Sequence, residues 1–425
     1  MKRSIGKDRN TRAFLALVKA GLWERDVELQ DCGDMDFAEV FRLGEEQAVL
    51  GLVAAGLDHV KGQQPPKEEV LKVIGKMVQL EQRNSVMNRF IGELVSRMRE
   101  KGIYTLLVKG QGVAQCYERP LWRSSGDIDF FLSDENYAKA DAYLLPLASS
   151  VEKDTGGHHG MTIDGWVVEL HNSLHCGLSK RIEKVLDKMK RESFYEGKVR
   201  SWMNGKVSVF LLSPENEILY GFCHFLKHFY KGGLGLRQIC DWCRLLWTYR
   251  SELDVKVLEA RVKEMGLMSE WKAFGAFAVE YLGMPIEAMP LFLKFRDESS
   301  PSMERASSSA QDSQTRARLE ETLDPSRMSD QRSSVECRDR LKVLELNKYK
   351  KKADRILDFV MMAGNFGHNR DMSYQSKYPY VIRKFFSMRM RIIDLIRHSR
   401  IFPLDSLKFF PKIISDGVSS AMKGY

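Results

Sequence analysis

The sequence predicts an α/β core containing a mixed sheet, with mostly helical regions on both sides of it. Residues 104–132 have the pattern of a strand, a glycine turn, a short helix and a second strand. Residues 134–145 have the pattern of an amphipathic helix, so strands and helices alternate as is typical of an α/β fold. Residues 161–171 then predict a hairpin, because Asp164 and Gly165 tolerate the positive φ that a tight turn requires.

The core begins with a short apolar strand at residues 104–108. This strand stops at Lys109 and Gly110, and residues 111–118 then carry apolar side chains at helical spacing. Pro120 cannot continue a helix, so we expect the short helix to end just before it.

The second strand begins with two aspartates on the same face. Because side chains alternate across a strand, Asp127 and Asp129 lie opposite the apolar residues Ile128 and Phe130. Carboxylates are costly to bury unless a cation neutralises them. We therefore predict that the pair, which directly follows Gly126, binds Mg²⁺, an ion that prefers carboxylates, phosphate oxygens and water. The alternative is that the pair lies on a solvated edge strand.

A third carboxylate is expected, because a two-metal site for phosphoryl transfer normally contains one. On the outgoing strand of the predicted hairpin, Glu169 and His171 face away from Trp166, Val168 and Leu170. Glu169 is therefore the candidate for the third metal ligand. The alternative is a glutamate that faces solvent.

The composition is that of a soluble globular protein with more than one domain. The chain has 425 residues, of which 44% are hydrophobic and 29% are charged. It contains no uninterrupted apolar run of about 18 residues, and its first residues lack the apolar centre of a secretory signal. The 7 cysteines are scattered and do not form a disulfide framework, so we expect a protein of the reducing cytoplasm.

Patterning divides the chain into five regions. A helical N-terminal region covers residues 1–99, the α/β core covers residues 100–213, and a second helical region covers residues 214–296. Residues 297–340 contain 11 serines and no aromatic residue, so we expect a disordered insert there whose deletion leaves stability nearly normal. Residues 341–425 form a basic helical region with 17 Lys and Arg against 7 Asp and Glu, in a chain whose net charge is +9.

The basic C-terminal region has two interpretations. Its helices have one solvated cationic face, or they form a surface for a polyanionic acceptor such as RNA or for anionic lipid. Reversing the charges of Lys350, Lys351 and Lys352 is expected to reduce the salt dependence of binding only in the second case.

The second helical region offers a different candidate site. His224 and His228 lie at i and i+4, and Cys240 and Cys243 have the spacing of zinc ligands. A zinc-stabilised interaction protein is therefore one possible function. The alternative is that the cysteines, which lie in an amphipathic helix, belong to the packed interior.

Several of these motifs together resemble the polymerase-β-type nucleotidyltransferase fold, and more narrowly a bacterial family of uncharacterised nucleotidyltransferases. The matching positions are Lys109-Gly110, Tyr117, Arg123, Gly126-Asp127-Ile128-Asp129, Val168-Glu169-Leu170-His171 and, in the C-terminal half, residues 236–241 and 364–367. The resemblance covers most of the chain apart from the insert. This sequence departs from the wider superfamily in having Gln111 where a serine that contacts phosphate is usual, and in having glutamate as the third carboxylate where aspartate is common.

The resemblance implies an enzyme that transfers a nucleoside monophosphate from a nucleoside triphosphate (NTP) to an acceptor, such as RNA, protein or a sugar phosphate, and releases pyrophosphate. It implies that the catalytic and metal-binding residues, which would hold Mg²⁺ or Mn²⁺, are Asp127, Asp129 and Glu169. The nucleotide-binding residues that it suggests are Lys109, Gly110, Arg123, Ser125, Gly126, His171, Lys227 and His228. A further expectation is that Asp129→Asn greatly reduces transfer while folding is unharmed or slightly improved.

A second function is compatible with the same motifs. The chain could be a non-catalytic nucleotide- or RNA-binding regulatory module of the same fold, of the toxin–antitoxin type. The three carboxylates argue for an active site, because a non-catalytic descendant has no reason to retain them.

Overall fold

The structure, a computed structural model, describes residues 8–62, 65–152, 158–231, 233–291, 331–365 and 380–422. Helices precede and follow a central sheet. The helices up to the end of the core are α1 (Arg9–Trp23), α2 (Phe37–Glu46), α3 (Leu50–Leu57), α4 (Lys67–Glu100), α5 (Gly110–Ala114), α6 (Asp134–Leu144) and α7 (Lys180–Tyr195). The later helices are α8 (Pro214–Lys231), α9 (Leu236–Thr248), α10 (Val255–Met265), α11 (Met268–Leu282), α12 (Gln331–Ala363), α13 (Tyr380–Ser399) and α14 (Pro403–Met422).

The strands form one small pair and one large mixed sheet. They are β1 (Val27–Glu28), β2 (Val60–Lys61), β3 (Leu106–Val108), β4 (Ile128–Phe131), β5 (Ser150–Val151), β6 (His158–Ile163), β7 (Trp166–His171), β8 (Val199–Asn204) and β9 (Val207–Leu212). The large sheet has the order β5-β6-β7-β4-β3-β9-β8, in which β7 pairs parallel with β4 and β3 pairs antiparallel with β4. The predicted α/β core with a mixed sheet, flanked by helical regions, is therefore confirmed.

The central strands are buried on both faces. On one face Ile128 and Phe130 pack with apolar residues of α4 and α6, such as Ile91 and Leu144. On the other face Phe131 belongs to the larger core that contains the apolar residues of α7, α8 and α9. The alternation predicted for β4 is confirmed, and the face that carries Asp129 is covered by helices and does not lie at a solvated edge.

The predicted hairpin is present, with Asp164 and Gly165 at φ values of +50° and +81°. The short helix differs from the prediction, because α5 ends at Ala114 and not near residue 118. The amides of Cys116 and Tyr117 bond to carbonyls only three residues back, so the chain tightens into turns after the helix.

Helix α12 overlaps the C-terminal end of the segment in which the sequence predicts a disordered insert. Helix α12 begins at Gln331, so the last residues of the predicted segment 297–340 are helical. The rest of that segment, residues 297–330, lies outside the described residues. Its serine content gave no sign of this helix start, because the apolar residues that anchor α12, such as Ile356 and Val360, come later in the chain.

Two of the three lysines chosen for charge reversal are engaged with α11. Lys350 forms an ion pair with Glu280, and the Nζ atom of Lys352 donates a hydrogen bond to Ser269 Oγ at 3.0 Å. Reversing these charges would therefore disturb the packing of α12 as well as any surface for a polyanion. Among the described helices, none combines the length and apolar character needed to cross a membrane.

Helices α8, α11 and α14 meet at a buried carboxyl group. Glu270 of α11 is fully buried, and its Oε1 atom accepts a hydrogen bond from Tyr230 Oη at 3.0 Å. Burial and the nearby charge of Asp405 raise the pKa of Glu270 to about 7.

We predict that Glu270→Gln stabilises the protein above pH 7. The carboxyl group ionises near pH 4.5 in the unfolded chain but stays protonated to about pH 7 in the folded protein. The folded state therefore becomes less stable as the pH rises from about 4.5 to 7. The variant should gain on the order of 2–3 kcal/mol at pH 8 and little at pH 4. Urea denaturation at both pH values, with the exposed Glu287→Gln as control, measures this difference. A gain of the same size at both pH values would contradict the raised pKa.

Candidate active site

A cleft of about 560 Å³ opens between the ends of β3, β4 and β7 on one side and helices α8 and α9 on the other. Ten of the residues predicted from the sequence line it, and these are Lys109, Gly110, Arg123, Gly126, Asp127, Asp129, Glu169, His171, Lys227 and His228. Ser125 was also predicted but does not line the cleft, because its hydroxyl group is buried and accepts a hydrogen bond from Arg123 at 2.8 Å.

The carboxylate of Asp129 lies at the centre of the acidic side of the cleft and is only 2% exposed. Its Oδ1 atom accepts hydrogen bonds from Lys109 Nζ at 2.7 Å and from His171 Nε2 at 2.8 Å. Burial works against the charged carboxylate, but Lys109 and His171 outweigh it and lower the pKa of Asp129. Burial also opposes the charge on Lys109 and His171, and their contacts with carboxylates raise the pKa of both.

Parallel pairing brings the third carboxylate to the same place. Asp129 of β4 lies directly beside Glu169 of β7, and His171 Nε2 lies 3.3 Å from Glu169 Oε2. One ligand atom from each of Asp129, Glu169 and His171 lies within 4.8 Å of the other two. Two carboxylates and an imidazole fit a divalent cation that accepts oxygen and nitrogen ligands, and the set resembles an Mn²⁺ site at least as well as an Mg²⁺ site.

Lys109 reaches Asp129 from a strained turn at the end of β3. Its φ is +59° and its ψ is −150°, a combination that residues other than glycine rarely adopt. Gly110 follows with a φ of +45°. Such a conformation costs about 1–3 kcal/mol and persists only where the surroundings determine it. Here the hydrogen bond to Asp129 is one such constraint.

Asp127 lies next to this cluster and is more exposed than Asp129. Enclosure by the cleft walls and the charge of Asp129 raise the pKa of Asp127, while Lys109 opposes the shift. Arg83 of α4 donates hydrogen bonds to the carbonyl oxygens of Ser125 and Gly126, and so holds the loop that leads into Asp127.

Arg123 was predicted to bind nucleotide, but its guanidinium is engaged within the protein. Its Nε and Nη2 atoms donate to both carboxylate oxygens of Asp241 at 3.0 and 2.6 Å, and Tyr117 Oη donates to the same carboxylate at 2.8 Å. Arg123 also donates to the Ser124 carbonyl oxygen at 3.1 Å. These contacts indicate that Arg123 fixes the loop before Asp127 to helix α9.

Gln111, at the position where a serine is usual, does not line the cleft. It is buried, and its Nε2 atom donates a hydrogen bond to Asn84 Oδ1 of α4 at 3.0 Å. The direct contact of this residue with a nucleotide phosphate, which the sequence placed in doubt, has no support from the structure.

Helices α8 and α9 form a basic wall at one end of the cleft. His224, Lys227, His228 and Arg237 line it. Burial and the positive charge of neighbouring groups lower the pKa of all four, and for His228 to about 3. A bound anion would relieve the repulsion between the cationic members of this wall, Lys227 and Arg237.

The cysteines of the alternative zinc site lie elsewhere. Cys240 and Cys243 are fully buried in the larger core, whereas His224 and His228 line the cleft with their Nε2 atoms 3.3 Å apart. Within the described part of the chain, the group that could hold a metal ion is the one formed by Asp129, Glu169 and His171. The packed-interior interpretation of the cysteines is therefore the one that the structure supports.

Sequence reasoning assigned no site role to the lining residues Glu217 and Tyr220. It named His224 only as a possible zinc ligand, and Arg237, Gln238 and Asp241 only as part of the resemblance. On α8 the lining residues 217, 220, 221, 224 and 228 recur at helical spacing, and on α9 the same is true of 237, 238, 241 and 245. That spacing is visible in the sequence. Without the fold, however, it does not show which face of each helix meets the sheet.

The contacts of Asp129 change the expectation for Asp129→Asn. We predict that this variant is destabilised by about 3 kcal/mol, because it leaves the buried ammonium of Lys109 without its charged partner. The double variant Lys109→Met/Asp129→Asn should recover most of the loss. Chemical denaturation of the single and double variants tests this coupling, and additive losses would contradict it.

Residues 33–283, more than half of the chain, match a family model described as an uncharacterised nucleotidyltransferase. The matched residues include all those that line the cleft, whereas residues 364–367 lie beyond them. No curated protein and no solved structure matches the chain. The chain belongs to this family of uncharacterised nucleotidyltransferases.

Proposed function

We propose that the protein is a metal-dependent nucleotidyltransferase that transfers a nucleoside monophosphate from an NTP to an acceptor hydroxyl or phosphate group and releases pyrophosphate. The observation that carries this proposal is the pairing of an acidic cluster with a basic wall in one cleft. The cluster of Asp129, Glu169 and His171 supplies ligands for a cation, and Lys227 and Arg237 supply charge for an anion. An NTP bound with a divalent metal needs both.

Asp129 and Glu169 would hold the cation, with His171 and Asp127 beside them. A bound divalent ion would neutralise charge on the phosphate oxygens and support the attacking oxygen. The strands that carry Asp129 and Glu169 are adjacent and hydrogen-bonded, so these two carboxylates are held at a fixed separation. Such preorganisation is the main contribution that a protein makes to phosphoryl transfer.

Lys109 and the basic wall would position the triphosphate. The ammonium of Lys109 lies 2.7 Å from Asp129, at the boundary between the acidic and the basic groups, where it can neutralise phosphate charge. Arg237 lines the cleft from α9 and supplies positive charge there, although its Nη1 atom also donates a hydrogen bond to the Ser124 carbonyl oxygen at 2.9 Å, whereas the guanidinium of Arg123 is held by both oxygens of Asp241. His228, which has a pKa of about 3, is neutral near pH 7 and would act as a hydrogen-bonding group and not as a cation.

The proposed reaction requires an acceptor whose hydroxyl or phosphate oxygen can attack the NTP. RNA, a protein hydroxyl group and a sugar phosphate each offer the nucleophile that the proposed reaction needs. A polyanionic acceptor on the basic C-terminal region would have to use cations other than Lys350 and Lys352, since these contact α11.

We predict that Asp129→Asn and Glu169→Gln each lower the rate of transfer at least a hundredfold, because each removes a carboxylate from the metal site. The rate is measured with each labelled NTP, in Mg²⁺ or Mn²⁺, against a panel of proteins, RNAs and sugar phosphates. The matched control is Glu68→Gln, which makes the same chemical change at an exposed position on α4.

Metal binding provides a second readout that needs no acceptor. Calorimetric titration with Mn²⁺ should show weaker binding in both variants and wild-type binding in Glu68→Gln. Full transfer by the Asp129→Asn variant would contradict the proposal. Metal-dependent NTP binding with no transfer to any acceptor would favour the non-catalytic module.

A further inference from the structure

The wall formed by α8 has different chemistry at its two ends. Lining residues run along one face of the helix from Glu217 to His228, a rise of about 16 Å. The C-terminal end carries Lys227 and His228, beside Arg237 of α9. The N-terminal end carries Glu217 and Gly221, beside Leu245 of α9. The cleft is therefore cationic at one end and largely apolar at the other, where the carboxylate of Glu217 is ion-paired with Arg200.

The metal-ligand cluster lies between these ends. Lys109, which is bonded to Asp129, has its Nζ atom 6.0 Å from the centre of the Tyr220 ring, about one helical turn of α8 from Glu217 and about two turns from His228. A triphosphate that extends from this point toward Lys227 and Arg237 leaves its nucleoside toward Glu217. The opposite orientation would place the polyanion against a carboxylate and an apolar surface, which is unfavourable.

Glu217 has one carboxylate oxygen that lacks a partner. The side chain is 2% exposed, Arg200 donates a hydrogen bond to Oε2, and Oε1 is buried with no hydrogen-bond donor from the protein. A buried acceptor without a donor is unfavourable, so a ligand that supplies an N–H group at this point would gain from it.

We propose that the Glu217 end of the cleft is a nucleobase subsite, in which Glu217 Oε1 accepts a hydrogen bond from an N–H group of the base. The inference rests on the proposed nucleotidyltransferase function and adds to it that Glu217 recognises the base. Val113, Tyr220 and Leu245 supply the apolar surface for the ring, and Gly221 leaves room for it.

The contact with Arg200 makes a sharp test possible. Because Arg200 needs an acceptor, the amide of a Glu217→Gln variant is expected to direct its oxygen to Arg200 and its NH₂ group to the position of Oε1. The substitution therefore changes an acceptor into a donor with almost no change of shape. In this variant, a base with N–H groups should no longer bind more tightly than a base that lacks them.

The experiment compares ligands that differ only in these N–H groups. Binding of ATP and CTP to the full-length protein is measured by calorimetry in Mn²⁺ without acceptor, alongside the triphosphates of purine riboside and pyrimidin-2-one riboside, whose bases carry no N–H group. In the wild type, the better-bound natural nucleotide should bind about tenfold more tightly than its matched analogue, and Glu217→Gln should abolish that ratio. Inorganic tripolyphosphate should bind equally to both proteins, because it has no base.

Two further variants separate the base from the phosphates and from the fold. Gly221→Leu should weaken NTP binding about tenfold and leave tripolyphosphate binding unchanged, since a Cβ atom there meets only Leu245 Cδ1 at 3.9 Å. Glu215→Gln makes the Glu217→Gln change two residues away on the same helix, outside the cleft lining, and should have no effect on either ligand.

The outcomes distinguish the subsite from the proposed function. Equal binding of natural nucleotides and analogues to the wild type, or a ratio unchanged in Glu217→Gln, would overturn the subsite and leave metal-dependent NTP binding intact. Equal weakening of NTP and tripolyphosphate by Gly221→Leu would also overturn it. Absence of binding by every NTP and by tripolyphosphate would overturn both proposals.

Discussion

The buried carboxylate of Asp129, held between an ammonium and an imidazole, is the interaction on which the site depends. A single oxygen of Asp129 accepts from Lys109 and from His171, and the surrounding core excludes almost all solvent from the group. The charge of this carboxylate is tolerated only because these partners are present. Three features hold Asp129, Lys109 and His171 together. They are the strained backbone of Lys109, the register of β4 with β7 and the packing of α8 over the sheet.

The same arrangement explains why the acidic groups and the cations lie on different walls of the cleft. The sheet supplies acidic groups at the ends of adjacent strands, where backbone pairing fixes their separation. The α8–α9 pair supplies cations at one end and an unpartnered acceptor at the other, because one face of each helix lines the whole cleft. Neither side alone has the chemistry of a nucleotide site. The connection from Arg123 to Asp241 links the two, since it attaches the loop before Asp127 to helix α9.

The parts of the site that sequence could predict are those with a local pattern. The period of two that places Asp127 and Asp129 on one face, and the Asp-Gly turn that orients Glu169, both act within a few residues. The contacts that decide what Arg123 does are not local, because its partner Asp241 is 118 residues away. Gln111 is likewise held away from the cleft by a non-local contact, because its amide donates a hydrogen bond to Asn84 of α4.

The C-terminal part of the fold was less predictable for a related reason. The excess of Lys and Arg after residue 341 is a property of composition, whereas the contacts of Lys350 and Lys352 with α11 depend on how α12 packs. The start of α12 at Gln331 likewise lies in a sequence with few apolar residues, so the pattern there predicted disorder. Tertiary packing outweighs local composition in such segments.

The most direct test of the account is a crystal structure of the protein with Mn²⁺ and a non-hydrolysable NTP, in which the anomalous signal locates the metal. The account predicts an Mn²⁺ ion within coordination distance of Asp129 and Glu169, with the triphosphate directed toward Lys227 and Arg237. A metal bound elsewhere, with the Lys109–Asp129 contact intact and the nucleotide outside the cleft, would contradict it.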